Sequence, residues 1–252
     1  MFVTRFTPFS QLTRRTACAL LFATSVISHA EPTLTLTTEH MPPYNVVSHD
    51  LHDVTGLAAD KVKEVLRRAQ VDYVFAPSGW NRAIMLAQTQ PDTCVFSTGR
   101  IPERETWFKW VVPLAETSRV IYTRYAFHTP ATKLEDLKDA KISAYRSDAD
   151  SMILKTRGYQ VSDSESYEDS LSALLAGRVD YWATDRIGAD ALLASKFAHD
   201  KVHLLLTFGK MELYLACNPS VSDSTIDKIR VAYRKMTQDG TLQRIDARYS
   251  HP

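Results

Sequence analysis

The chain has 252 residues, with 30 basic and 29 acidic side chains, a formal net charge of +1 and 44% hydrophobic residues. That near balance excludes the electrostatic footprint of a nucleic-acid binder or of a protein held on anionic lipid. The length and apolar content suffice for one large or two modest domains with proper cores.

Residues 1–30 stand apart. They carry Arg5, Arg14 and Arg15 and no acidic residue, then the apolar run ACALLFATSVI, then Ser28 and Ala30 before Glu31. A basic start, a short apolar run and small residues at −3 and −1 predict a secretory signal peptide cleaved after Ala30. The run is far short of the ~20 residues of a spanning helix, so no membrane insertion is expected. The twin arginine of TRRTAC lacks the residues that usually follow it, and Cys18 opens the apolar run instead of closing it, which points to general secretion without lipid attachment. Cleavage removes three arginines, leaving 27 basic against 29 acidic side chains, a net of −2. Cys94 and Cys217 remain, in a compartment where disulfides persist. No Cys or His spacing predicts a metal site, and no cofactor motif is present.

Beyond Ala30, short strand-like runs alternate with helix-period stretches. LTLTTE (34–39) reads as a strand. GLAADKVKEVLRRA (56–69) reads as a helix with Ala58, Val62, Val65, Leu66 and Ala69 on one face. VDYVFAP (71–77) is strand-like, WNRAIMLAQTQ (80–90) helical and TCVFST (93–98) a short buried strand. This alternation predicts βαβ units and a mostly parallel sheet. The rhythm pauses at SRVIYTRYAF (118–127), a β-rich run without its own helix, and at a polar stretch with one short helix.

It resumes with KISAY (141–145), a helix in DADSMILKTRG, strand YQVSD, helix YEDSLSALLAG, strand VDYWAT (179–184) and helix RIGADALLASKF. VHLLLTF (202–208) and MELYLACN (211–218) are strand-like. The C-terminal stretch supplies two amphipathic helices parted at Gly240, the first capped by Ser222 or Asp223 with Ile226, Ile229, Tyr233 and Met236 on its stripe. Two α/β blocks separated by extended segments imply two lobes, the second inserted in the first and joined by two strands that permit opening and closing.

TGRIPERETWFKW (98–110) is the unusual stretch. Pro102 suits the first position of a short helix. Glu103 and Glu105 fit its positive end, whereas Arg100 and Arg104 oppose the helix dipole there. A guanidinium beside free backbone N–H groups makes a seat for a carboxylate or phosphate.

The stretches TTEHMPPYNV, SGWNRAI, STGRIPERETWFKWVVPL and LLAGRVDYWATD, in this order, resemble the family 3 periplasmic solute-binding proteins, receptors of amino-acid-type ABC importers. The resemblance runs from about Leu34 to about Tyr249. It implies an α/β fold of the two-lobed type II periplasmic binding kind, each lobe a mostly parallel sheet with flanking helices, joined by a two-strand hinge. The lobes would be 31–119 with 214–252, and 120–213.

The same resemblance implies that Arg104 binds a ligand carboxylate and Asp185 an ammonium. Glu39, Tyr44 and Trp80 would face the ligand, and Ser97 and Gly99 would supply donors. Two departures from the family pattern stand out: Gly99-Arg100-Ile101 replaces a hydroxyl-bearing run, and Ser147-Asp148-Ala149 replaces a donor turn. Asp148 would repel a carboxylate unless Arg100 or Arg146 offsets it, so Arg100 and Asp148 join the candidate site and imply a ligand other than a plain α-amino acid.

Each candidate has a structural alternative. Arg104 would otherwise pair with Glu103 or Glu105, Asp185 would cap the helix that follows it, and Tyr44 and Trp80 would be core aromatics. Trp107 and Trp110 read as core. The strands holding Cys94 and Cys217 would be neighbours in the first lobe, which permits a disulfide without requiring one.

The expected function is a monomeric periplasmic receptor that encloses a small, carboxylate-bearing ligand and passes it to an ABC permease. The expected catalytic, metal and cofactor sets are empty. An exported dehydratase acting on small cyclic carboxylates, with Glu39, His40 or Asp148 as acid, is the alternative, as is a periplasmic sensor partner.

Overall fold

The computed structural model describes residues 1–4 and 33–249. Beyond residues 1–4, the expected signal peptide lies outside the described residues. The elements run β1 (Leu34–Thr37), β2 (Val46–Val47), β3 (Val54–Thr55), α1 (Leu57–Ala69), β4 (Tyr73–Phe75), α2 (Trp80–Thr89) and β5 (Thr93–Gly99). A 3-10 turn at Pro102–Arg104 precedes β6 (Lys109–Arg124), and another at Leu134–Leu137 precedes β7 (Ile142–Tyr145). Then come α3 (Ala149–Thr156), β8 (Val161–Ser164), α4 (Tyr167–Leu175), β9 (Tyr181–Asp185), α5 (Arg186–Ser195), β10 (Val202–Cys217), α6 (Asp223–Gln238) and α7 (Thr241–Tyr249).

One eight-stranded sheet has the order β4-β1-β5-β10-β6-β9-β7-β8. Its outer thirds are parallel triples: β1 pairs parallel with β4 and β5, and β7 pairs parallel with β8 and β9. Between them β6 and β10 pair antiparallel with each other, β10 also with β5 and β6 also with β9. The mixed, two-lobed α/β architecture is the one the sequence predicts.

The two connecting strands are longer than their sequence shows. Each of β6 and β10 is a continuous strand of 16 residues, where the sequence reads as separate short runs. Their ladder shifts register at four places, and such bulges bend and twist a strand pair without ending it.

Amphipathic stripes place the helices. Ala58, Val62, Val65, Leu66 and Ala69 of α1 are buried, as the spacing predicts, in a core shared with α6, α7 and the β4-β1-β5 face. Side-chain caps fix the helix starts: Asp148 for α3, Ser166 for α4, Asp185 for α5 and Ser222 for α6. Gly56 precedes α1 with φ +115, and a Cβ there would stand 2.5 Å from the Tyr44 carbonyl oxygen, so this entry turn requires glycine.

On the β9-β7-β8 side one core lies around Trp182, Tyr122 and Leu193, and another around Ile142, Tyr181 and Leu154. A disulfide joins Cys94 to Cys217, which face each other in the β5–β10 register, and resolves the alternative left open by the sequence.

Candidate functional site

Strand ends of the two parallel triples meet at the candidate site. After β1 the chain turns through Glu39 to Asn45, with a cis Pro42–Pro43 peptide and a Met41–Asn45 bridge. Buried side chains tie this turn to β5. Asn45 Nδ2 donates to Thr38 Oγ1 (2.9 Å), Thr38 Oγ1 donates to the Phe96 carbonyl (3.1 Å) and Ser97 Oγ donates to Asn45 Oδ1 (2.9 Å). Ser97 and Ser147, on opposite sides of the site, both have left-handed backbones, φ 58 and 59. Such residues persist where surrounding contacts hold them, and they concentrate at ligand sites.

Arg104 is fully buried. The expected helix at Pro102 is a single 3-10 turn, too short to make an anion seat by itself. The guanidinium is held by carbonyls: Nη1 donates to Gly99 (3.2 Å) and Nη2 to Ser147 (2.7 Å), and the cation lies 5.3 Å from the Trp80 ring centre. Nε is buried without a partner. Burial lowers the Arg104 pKa, and Asp148 opposes that shift. Trp80 serves both core and site: it is buried, and its indole Nε1 also donates to the Ser147 carbonyl at 3.0 Å.

Three carboxylates border the same site, and of these Asp148 acts on the Arg104 cation. Asp185 ends β9 and caps α5. Its Oδ1 accepts from Gly188 N (2.9 Å), Tyr44 Oη (2.9 Å) and Thr117 Oγ1 (3.1 Å), while Oδ2 is buried without a partner. Burial raises its pKa against those donors. Asp148 caps α3 through Ala149 N (2.7 Å) and accepts from Tyr167 Oη (3.1 Å). Glu39 is buried, and desolvation followed by repulsion from Asp148 pushes its carboxyl well above the usual range. Among the described residues none of the three lies within ion-pair distance of a Lys, Arg or His.

Of the residues singled out in the sequence, Glu39, Trp80, Ser97, Gly99, Asp148 and Asp185 surround one small cavity of about 10 Å³. Tyr44 reaches it through Asp185, and Arg104 lies behind Gly99 and Trp80. The cavity has room for about one water. Arg100 lies elsewhere: its guanidinium pairs with Glu105 (2.5 Å) and lies over the Trp110 and Tyr214 rings. Arg146 pairs with Glu165. Arg104, not Arg100 or Arg146, is therefore the cation nearest in effect to Asp148.

Sequence reasoning did not find Tyr167, Thr117, Met41 or Met211. Tyr167 reads only as the first residue of a helix, and Thr117 as one polar residue in a long strand; their roles come from tertiary proximity alone. A larger surface groove of about 1060 Å³ lies between α1, β4 and α7. Its charges largely satisfy each other, as in Arg67–Glu64 and Arg248–Asp60, so it lacks the unpaired groups that mark the cleft.

The chain belongs to the bacterial extracellular solute-binding proteins, family 3, whose sequence profile matches residues 34–252. No curated protein sequence matches it. Among solved structures it is similar to a histidine kinase sensor domain described as resembling periplasmic binding proteins, at 15% identity and a TM-score of 0.79, covering 87% of this chain and 96% of that one. It is similar to an ancestral arginine-binding protein bound to arginine, at 22% identity and TM-score 0.74, covering 87% and 98%. It is also similar to the arginine-, lysine-, histidine-binding protein ArtJ of Geobacillus stearothermophilus, at 17% identity and TM-score 0.74, covering 87% and 95%. At these identities the likeness establishes the fold. Among the described residues no helix is long and apolar enough to cross a membrane.

Proposed function

We propose that this chain is an exported receptor that closes around a small solute carrying both an amine and a carboxylate. The observation that carries this reading is the trio Glu39, Asp148 and Asp185, buried or half-buried around one cavity with no cationic partner. Buried charge is retained where something pairs with it. A ligand ammonium is the missing partner, and Asp185, already oriented by three donors, is its seat.

Arg104 supplies the other half. Its bond to the Ser147 carbonyl spans the site, and opening of the cleft frees that donor for a ligand carboxylate, to which a guanidinium binds in a fork. Closure then returns the second lobe over the ligand. This requires tighter binding to the closed form than to the open one. The binding of arginine by one structural relative and of arginine, lysine and histidine by another supports a cationic or zwitterionic amino-acid-like ligand.

We place the protein in the periplasm, processed after Ala30, as a non-catalytic monomer that delivers its ligand to an ABC permease. The similarity to a histidine kinase sensor domain supports a second reading, presentation of the same ligand to a sensor. The deciding experiment is a thermal-shift and calorimetric screen of amino acids, polyamines and small organic acids against wild type, Arg104→Ala and Asp185→Asn. Amine-bearing acids should bind the wild type, lose affinity in both variants and remain chemically unchanged. Turnover, or equal binding of amine-free acids by wild type and Asp185→Asn, overturns the reading.

A further inference from the structure

α5 ends in a left-handed turn built on a phenylalanine. Phe197 has φ 50, and Ala198 N donates to the Leu193 carbonyl at 3.0 Å, closing the last turn of the helix. At the equivalent place α3, α4 and α6 put Gly158, Gly177 and Gly240. A bulky side chain is strained in that backbone conformation. Packing does not account for the choice. Ala198, Leu193 and Val202 close the core beneath, and Phe197 itself is 86% exposed, the most of any large apolar side chain between residues 33 and 249.

The ring stands at the end of the β9-β7-β8 side away from the cleft. β9 reaches the cleft at Asp185, and α5 starts there and ends at Ser195, just before Lys196 and Phe197. β6 pairs antiparallel with β9, Arg119 opposite Asp185 and Tyr122 opposite Trp182, so Arg124 and the start of β10 lie at the far end. Tyr125 is at that end too and is 58% exposed; its N donates to the Lys201 carbonyl at 3.1 Å and its ring centre is 4.8 Å from that of His203.

The charge at this end is mostly basic. Lys141, Arg178, Lys196 and Lys201 are exposed, and among the described residues none lies within ion-pair distance of an acidic side chain. Arg124, bonded to the Leu174 and Val179 carbonyls, adds a further cation, and Asp139, Asp180 and Asp200 oppose them. Lys196 suits the negative end of α5. Lys141 and Lys201 immediately precede β7 and β10, where no helix end calls for a cation.

We propose that this end of the molecule docks on an anionic phospholipid surface. Phe197 enters the boundary between headgroups and acyl chains, Tyr125 lies at headgroup level, and Lys196, Lys201, Arg178 and Lys141 meet the lipid phosphates. An exposed ring flanked by cations is the combination that membrane interfaces hold, and one ring with a few cations gives weak, reversible, salt-sensitive attachment. The near balance of charge over the whole chain restricts the attachment to this end. Because the cleft lies at the opposite ends of the strands, docking leaves it open to solute.

The test is co-sedimentation of the exported, processed protein with vesicles of phosphatidylcholine alone and of phosphatidylcholine with an equal part of phosphatidylglycerol. The wild type should bind the anionic vesicles at low salt and lose that binding at high salt. Phe197→Gly and Lys196→Glu/Lys201→Glu should each bind at least about tenfold more weakly, as loss of one buried ring or reversal of two charges gives. Phe197→Gly should also melt at a higher temperature, because glycine accepts the left-handed backbone and an exposed ring packs on nothing. Phe197→Trp should bind as the wild type does, with tryptophan emission shifting to the blue when anionic vesicles are added.

Equal binding by wild type and Phe197→Gly overturns the inference, as does a Phe197→Gly protein that melts lower, since the ring would then be a packing element. A wild type that ignores vesicles but self-associates through Phe197 assigns this end to a protein interface and overturns the lipid proposal.

Discussion

Tyr44 Oη donates a 2.9 Å hydrogen bond to Asp185 Oδ1 across 141 residues of sequence. Tyr44 follows β1 and Asp185 ends β9, so the bond joins the two parallel triples on either side of the β6–β10 pair. It makes the proposed ammonium seat also a latch, because the same carboxylate touches both sides. Tyr44→Phe keeps the ring and removes the hydroxyl. A hydrogen bond to a charged group contributes about 1.5–3 kcal/mol. The variant is expected to lose stability of that order in urea unfolding at neutral pH, and its unliganded form to scatter X-rays as a more open molecule. An unchanged radius of gyration would show that the bond does not hold the cleft.

Arg104 is expected to separate ligand recognition from packing. Arg104→Ala takes the guanidinium from the Gly99 and Ser147 carbonyls, of which Ser147 keeps the Trp80 indole as donor, at a cost of about 1–3 kcal/mol for a group left unsatisfied. It should also erase discrimination between an amino acid and its methyl ester, which the wild type should reject. Calorimetry with both compounds on both proteins checks this. Persistent rejection of the ester by the variant would move the carboxylate seat away from Arg104.

The buried carboxylates give a pH dependence with a definite sign. Asp185 and Glu39 have pKa values raised in the folded protein, chiefly by burial. Between the unfolded and folded pKa values the native state holds more protons than the unfolded one, so stability falls as pH rises through that window. A cationic ligand reverses the trend, since it favours the ionised carboxylates. Unliganded protein should therefore melt at a higher temperature in mild acid than above the folded pKa values. Affinity for an ammonium ligand should rise with pH over the same window, and Asp185→Asn should flatten both curves. Affinity for the ammonium that falls with rising pH would mean that these groups bind as neutral acids.

Local signals in the sequence carried the helices, and tertiary contacts carried much of the site. The stripes of α1 and α6 and the caps Asp185 and Ser222 are short-range features, read at helical spacing. The two 16-residue strands were not legible as single elements. Pro113, Glu116, Thr117 and Ser118 interrupt the alternation in β6, and register shifts change which side chains face the core. Resemblance to the family brought Glu39, Trp80 and Asp185 into view, but no pattern marks Thr117 or Tyr167. They matter only because the fold brings Thr117 to Asp185 and Tyr167 to Asp148. Arg100 shows the converse: a conspicuous position beside Gly99 is satisfied by Glu105, five residues away.

The Cys94–Cys217 bridge closes 123 residues of chain between β5 and β10, so its loss frees a long loop in the unfolded state. Reduction, or a Cys94→Ala/Cys217→Ala double variant, is expected to lower stability by about 2–5 kcal/mol. The ligand affinity should change little, because neither cysteine lines the cleft. Urea unfolding with and without reductant, together with calorimetry, measures both. A large loss of affinity at unchanged fold would tie the bridge to the site itself.

Arg119 and Asp150 form a buried pair beside the hinge, with Nε and Oδ1 2.7 Å apart and side chains 7% and 1% exposed. Arg119 lies in β6 opposite Asp185 in the ladder, and Asp150 lies in the first turn of α3, so the pair ties the connecting strand to the turn carrying Asp148. The Phe208 ring of β10 covers the guanidinium at 4.4 Å. Breaking a buried pair strands a charge, at about 3–5 kcal/mol, whereas replacing both partners with apolar residues is often near neutral. Asp150→Ala should therefore be strongly destabilised in urea, and Arg119→Met/Asp150→Leu should recover most of the loss. If the pair also orients the hinge against α3, the recovered double variant should still bind ligand more weakly than wild type. Full recovery of both stability and affinity would make it a packing element that wild-type binding does not need.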